Sequence, residues 1–315
     1  MTATGQTTAT TARDNRPLAI LSLVAGVGLS ATMDTLMKWL SGDYPVHQLL
    51  VLRCVTAIPV LLVILWFDGQ APRLWHPAWP AILLRGLILA FAYVAFVMAI
   101  AAMPMADGVA IYFTMPLILA ALAGPMLGER VPAYRWAAIL AGFAGVMAMI
   151  RPGSGLFEPA ALLALCGAAG YAVGQLLTRR IGLSVASSVL AFHQNSIYLA
   201  VGLALAALFA GGAFEADVHP SIAFLLRGWH MPDLLDFCLM CALGILSGLA
   251  MTAFTQAYRL AEANLVAPFE YTAMAWAAAY GFLIFGDVPD WATGVGGALV
   301  IGAGLFMLWR DRRAA

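Results

Sequence analysis

The sequence predicts an all-α integral membrane protein with ten transmembrane helices arranged as two inverted five-helix repeats. Three observations predict it. First, 63% of the 315 residues are hydrophobic and only 10% are charged, against roughly 45–50% and about 25% in soluble domains. So few charges cannot cover so much apolar side chain in water. Second, a bilayer core about 30 Å thick takes about 20 apolar helical residues. Ten such stretches occur, at approximately 18–40, 47–67, 80–102, 105–127, 133–151, 159–179, 186–211, 234–258, 262–285 and 291–310. Third, the halves resemble each other. A shift of 140 residues places Leu40-Ser41-Gly42 on Arg180-Ile181-Gly182 and Arg53 on His193; a shift of 158 places Gly128-Glu129 on Gly286-Asp287 and Thr114 on Thr272.

Each element follows from local chemistry. Breakers mark the links: Asp68-Gly69-Gln70-Ala71-Pro72, Arg151-Pro152-Gly153-Ser154-Gly155 and Gly286-Asp287-Val288-Pro289. The expected units are a disordered cytoplasmic tail 1–16, a first repeat 17–151, a periplasmic linker 152–158, a second repeat 159–310 and a cytoplasmic tail 311–315. The longest outer loop, 212–233, holds His219, Trp229 and His230 around the apolar run Ile222 to Leu226. It reads as a helix lying on the interface, with a metal or substrate site as the alternative. Five spans per half is an odd number, so the second copy is inverted in the membrane.

Basic residues set the orientation. With the N-terminus inside, inner segments hold Arg13, Arg16, Arg73, Arg130, Arg135, Arg179, Arg180, Arg259, Arg310, Arg312 and Arg313, and outer ones only Arg151 and Arg227. Both termini are therefore expected in the cytoplasm. Tryptophan gathers at segment ends, as an interfacial belt does, with Trp276 the mid-segment exception. The predominance of Arg over Lys points to a GC-rich bacterial genome and an inner membrane.

Several functions are excluded. Net charge is zero, so no basic field draws nucleic acid. Lys38 is the single lysine, so no Walker-A Gly-Lys-Ser/Thr loop exists. Cys54, Cys166, Cys238 and Cys241 lie in apolar segments and read as small packing residues. No His-Glu-x-x-His or Gly-x-Ser-x-Gly motif supports an intramembrane enzyme, and no cofactor or metal is implied.

The informative residues are the charges inside the bilayer. Each costs about 2.5–3.5 kcal/mol at the centre unless paired, hydrated or used. Asp34, Arg53 and Glu270 are the deepest. Asp34 and Lys38 lie four apart on one face of the first helix, either as an internal ion pair or as a pair lining the outer mouth, with Asp34 a cation or proton site. Arg53 presents a planar fork suited to carboxylates; it either holds a substrate carboxylate or serves as a fixed partner for Asp34. His193, its counterpart under the repeat, either titrates or packs. Glu270 follows Pro268, a helix breaker of the kind found beside transporter cavities; it carries a coupling proton, binds a substrate amine, or bonds a neighbouring helix. Arg85, Gln175 and Gln256 lie nearer the inner face. Tyr93, Tyr112, Tyr271 and Trp276 are candidate aromatic walls.

Two stretches resemble a known family. One runs from Pro116 to Gly128-Glu129-Arg130, followed by the glycine-rich helix Gly142 to Gly145. The other is Ala267-Pro268-Phe269-Glu270-Tyr271-Thr272, then Phe285-Gly286-Asp287-Val288-Pro289 and Gly296-Gly297. Both are similar to EamA-type permeases of the drug/metabolite transporter superfamily, with Asp287 standing where the second repeat usually has Glu. The resemblance implies two five-helix bundles around a central cavity and transport of a small metabolite without ATP. Inverted repeats are themselves a recurrent transporter architecture with a site near the midplane. The expected activity is proton-coupled export of an amino acid or amino-acid-derived zwitterion by alternating access. Import of a cofactor-sized metabolite of the riboflavin or S-adenosylmethionine type, or lipid-carrier flipping, are the alternatives. Expected partners are a small-molecule substrate and membrane lipid, and a homodimer is open.

Overall fold

The computed structural model describes residues 16–70, 78–127, 132–150, 159–181, 185–260 and 267–314. The described residues are helical, with no strand among them. The helices are α1 (Arg16–Leu40), α2 (Val46–Phe67), α3 (Trp79–Ala102), α4 (Met105–Tyr112), α5 (Met115–Leu127), α6 (Ala133–Ile150), α7 (Ala160–Ile181), α8 (Ser187–Phe209), α9 (Pro220–Leu226), α10 (Leu234–Leu260), α11 (Thr272–Tyr280) and α12 (Trp291–Ala314). Eight stretches, Pro17–Leu40 through Leu234–Phe254, are long and apolar enough to cross a membrane, and Trp291–Met307 is a shorter apolar helix. The expected tail 1–16, apart from Arg16, and the linker 152–158 lie outside the described residues. Residues 311–314 of the expected tail are helical and continue α12 to Ala314.

Two expected spans are not continuous α-helices. Residues 105–127 break between Tyr112 and Met115, where Thr114 Oγ1 donates to Ile111 O at 2.7 Å. The segment after 266 is a composite: a 3-10 turn Ala267–Tyr271, then α11, then a π-helical turn Gly281–Phe285. Its first junction carries the same device, Thr272 Oγ1 donating to Phe269 O at 2.6 Å. A threonine hydroxyl that occupies a carbonyl three residues back competes with the α-helical ladder, and Pro268 removes a donor as well.

The helices pack in pairs: α1 on α10, α3 on α7, α2 on α8 and on α10, and α6 on α12. Hydrophobic residues surround most of these helices, so burial is decided by shape. Glycine allows the closest approaches. A Cβ on Gly145 of α6 would lie 2.7 Å from Gly296 O of α12, and one on Gly167 of α7 would lie 3.0 Å from Ala92 O of α3. Leu83, Leu87 and Phe91 remain exposed along α3, a face suited to lipid.

One end of the bundle is closed by an apolar cluster. Met33, Met37 and Leu40 of α1, Val46 and Leu49 of α2, Phe96 and Ile100 of α3, Met105 and Val109 of α4, and Leu243 of α10 are all buried together. Phe224 of α9 joins them at 1% exposure. The 212–233 loop, expected to hold an interfacial helix, is anchored in the bundle through the buried face of α9, with Ile222 exposed on the other face. Gln48 fixes the loop: its Nε2 donates to His230 O at 2.7 Å. Tyr44 stacks on His230 at 4.8 Å, and Arg227 Nη1 donates to Ser41 O at 2.9 Å.

Candidate functional site

The site is built on the α2–α3–α8–α10 wall. Arg53, seven residues past the first residue of α2, is 9% exposed. Its Nη2 donates to Ser247 Oγ of α10 at 3.0 Å. The guanidinium lies over the Tyr93 ring at 4.4 Å and 6.0 Å from the Tyr198 ring centre. Its Nε and Nη1 have no hydrogen-bond partner, and neither does the buried Tyr93 hydroxyl. Tyr93 and Tyr198 stack at 5.6 Å. The Tyr198 hydroxyl donates to Leu89 O at 2.8 Å and accepts from Gln194 Nε2 at 3.2 Å, which holds the stack rigid. Asn195 Nδ2 donates to Cys54 O at 3.0 Å and ties α8 to the turn that presents Arg53.

Asp34 of α1 is half-buried. Among the described residues no donor bonds its carboxylate, and the charge it meets is that of Arg53. The distance exceeds an ion pair, so Arg53 is not locked to Asp34. Neither is Lys38. Its Nζ donates to Asp287 Oδ2 at 3.2 Å and Met103 O at 2.8 Å, and lies 4.8 Å from the Phe285 ring centre. The expected Asp34–Lys38 pair on one helix face is therefore replaced by a pair across the fold. The reason is reach: the long lysine stem extends to the outer turn, where Asp287 also accepts from Met105 N at 3.3 Å.

Glu270 sits on the 3-10 turn, half-buried, with its charge acting on Tyr112, Tyr171 and Tyr271. Tyr112 stands between Phe96 at 4.5 Å and Tyr171 at 5.8 Å, and it also feels Asp34. The result is a bipolar interior. Guanidinium and tyrosines line the α2–α3 side; carboxylates on α1 and the 3-10 turn flank Tyr112.

The other two candidates lie elsewhere. His193 is 2% exposed and meets Trp79 at 5.1 Å near the start of α3, away from Arg53. Trp276 packs on α1, where a Cβ on Gly28 would lie 3.4 Å from its indole, and on Tyr280 at 5.7 Å. Gln256 has no described side chain. Sequence reasoning missed Tyr198, Tyr171 and Ser247. A tyrosine one turn beyond Gln194 is a weak signal, and a lone serine in an apolar helix gives none. Among the described residues no group of His, Cys, Asp or Glu is placed to hold a metal, and the four cysteines are free.

Eight helical stretches long and apolar enough to cross a bilayer make this a multi-pass membrane protein. Residues 17–151 match the EamA-like transporter family. The S-adenosylmethionine uptake transporter of Rickettsia bellii is 23% identical over 94% of this chain and 93% of that protein. The riboflavin transporter of Rhizobium johnstonii is 29% identical over 78% of this chain and 75% of that protein. The pseudopaline exporter CntI of Pseudomonas aeruginosa is 27% identical over 90% of this chain and 92% of that protein. A solved crystal structure superposes with a TM-score of 0.62 at 20% identity, over 94% of this chain and 98% of that one. An EamA-like domain over residues 17–151 and relatives named as transporters over nine-tenths of the chain support an EamA-type permease of the drug/metabolite transporter superfamily. It is a transporter of small metabolites, not an enzyme.

Proposed function

We propose that the protein carries a small zwitterionic metabolite, an amino acid or a derivative of one, by proton-coupled alternating access, with export as the net direction. The observation that carries this reading is Arg53: buried, tied to Ser247 by one nitrogen, with Nε and Nη1 left without partners. Buried donors without acceptors are costly, and a substrate carboxylate supplies two acceptors in the planar geometry a guanidinium fits. Asp34 and Glu270 take the substrate ammonium or the coupling proton. Lys38 holds the outer side shut, and Trp276 packs the α1–α11 contact; His193 serves the α3–α8 contact.

The two halves, 17–151 and 159–310, act as inverted five-helix repeats that rock about this site. Packing supports the reading. The 158-residue shift sets Phe113 on Tyr271, and these two rings meet at 5.1 Å. A residue that touches its own repeat-mate lies on a twofold axis. The same shift sets α6 on α12, which also pack together, and Thr114 on Thr272, whose hydroxyls make matching bonds. Both termini are inside a bacterial inner membrane, as the arginine distribution favours.

A second reading, uptake of a cofactor-sized solute, is favoured by the relatives named for S-adenosylmethionine and riboflavin. Counterflow in proteoliposomes tests both. Labelled amino acids, S-adenosylmethionine and riboflavin are offered beside carboxamide analogues of the first two. The zwitterion reading expects flux of a carboxylate form and little flux of its amide, and Arg53→Gln removes that preference. Equal flux of acid and amide overturns it, and flux of riboflavin alone selects the second reading without the carboxylate role.

A further inference from the structure

We infer that Arg85 is a second anion station, and that the protein selects an elongated solute carrying two anionic groups. This rests on the reading of Arg53 as a carboxylate site and extends it. Arg85 of α3 is 7% exposed. Its Nε donates to Thr178 Oγ1 of α7 at 2.6 Å, and that hydroxyl donates onward to Gly174 O at 2.8 Å. Its Nη1 is buried without a hydrogen-bond partner. Among the described residues no carboxylate pairs with it. A guanidinium does not lose its proton in proteins, so a positive charge stands in the inner half of the bundle with one edge fixed and another empty.

The placement relates Arg85 to Arg53. Arg85, Leu89 and Tyr93 follow one another at four-residue spacing on α3. Arg53 lies over Tyr93, and Tyr198 touches two of the three positions: its hydroxyl bonds Leu89 O, and its ring stacks on Tyr93 and stands near Arg53. Eight residues of helix separate Tyr93 from Arg85, a rise of about 12 Å. The two guanidiniums therefore stand at two depths along one wall, roughly that far apart, each with unused N–H groups. One small carboxylate cannot meet both at once; a solute with anionic groups at both ends can.

The experiment is ligand-induced thermal stabilisation of the purified protein in nanodiscs. The probes are linear α,ω-dicarboxylates from succinate to sebacate, each beside its monomethyl ester. The ester keeps length and apolarity and removes one charge. Longer diacids are expected to bind about tenfold or more tightly than their half-esters, since a charge-assisted bidentate contact is worth that much. Succinate is expected to show no such gain. Arg85→Gln erases the gain, bringing diacid binding down to the level of the half-ester, and Arg85→Lys restores part of it. Diacids and half-esters that bind alike at every length overturn the second station, and that comparison needs only the unaltered protein. Loss of half-ester binding in Arg53→Gln upholds the first station independently. Half-ester binding unaffected by Arg53→Gln overturns the carboxylate role of Arg53, whatever the diacids do, and binding of neither class overturns both.

Discussion

Lys38 Nζ and Asp287 Oδ2 meet at 3.2 Å across 249 residues of sequence, joining the outer end of α1 to the turn before α12. The same carboxylate oxygen accepts from Met105 N, at the start of α4. One oxygen thus closes three elements over the apolar cluster, with the Lys38 side chain 12% and the Asp287 side chain 22% exposed. Asp287→Asn is expected to cost about 1.5–3 kcal/mol, the worth of a charge-assisted bond, read as a lower unfolding midpoint in detergent. It should also raise labelling of Met105→Cys, a buried position, by an impermeant maleimide added from outside. Unchanged labelling would show that the pair does not hold the outer side closed.

Glu270 sits where the helix is broken, half-buried among tyrosines. Glu270→Gln keeps the shape and removes the titratable group. Transport should fall at least tenfold and lose its dependence on an imposed pH gradient, with expression and folding retained. A wild-type pH profile of flux in this variant would assign the coupling elsewhere.

Gly244 brings α10 against the turn of α2 that carries Arg53. A Cβ there would press on Arg53 O and Thr56 Oγ1 and stand 2.6 Å from Ala57 N. Ser247, one turn on, bonds Arg53. Gly244→Ala is therefore expected to cost about 1–3 kcal/mol by overpacking and to reduce transport by displacing Ser247. Gly294, with open space around its Cβ position, is the matched control: Gly294→Ala should leave both stability and flux near wild type.

Tyr44 lies in the turn between α1 and α2, outside the spans. Its hydroxyl donates to Asp236 Oδ2 at 2.6 Å, and this bond to a carboxylate pushes the phenol up to about 12 from its usual 10. A raised folded value means that the neutral phenol is the stabilised form. Its contribution is full below about pH 10 and is lost as pH rises through 12. The difference between the ultraviolet titrations of wild type and Tyr44→Phe should show one phenol ionising near 12. Ionisation near 10 would mean that the bond is absent in solution.

Gln48 is fully buried and ties α2 to the outer loop through His230. Gln48→Ala should speed hydrogen exchange of the backbone around residues 228–232 at least tenfold, since a buried amide partner is lost. Unaltered exchange would place the anchoring on Phe224, the Tyr44–His230 stack and the Arg227 bond.

Spans were legible in the sequence because length and apolarity alone decide what crosses oil. The continuous helices accordingly fall within a few residues of their expected bounds, and the charges of Asp34, Arg53 and Glu270 stood out against them. Partner identity was not legible. Lys38 has Asp34 one turn away, yet its bond goes to Asp287, because pairing depends on where distant turns come together. The breaks at Thr114 and Thr272 were hidden for another reason: a hydroxyl that takes its own helix's carbonyl leaves no composition signal. Arg85 was visible as a charge, but its empty Nη1 appears only once α7 is set beside α3.

The sealed outer half also has an electrical meaning. Residues from α1 to α4 with Phe224 and Leu243 form a packed apolar slab, and a membrane potential falls most steeply across apolar material. Any charged species that passes this slab does work against the share of the voltage that falls there, at most about 2.3 kcal/mol per elementary charge per 100 mV. The cell's battery therefore acts on the step that opens this slab.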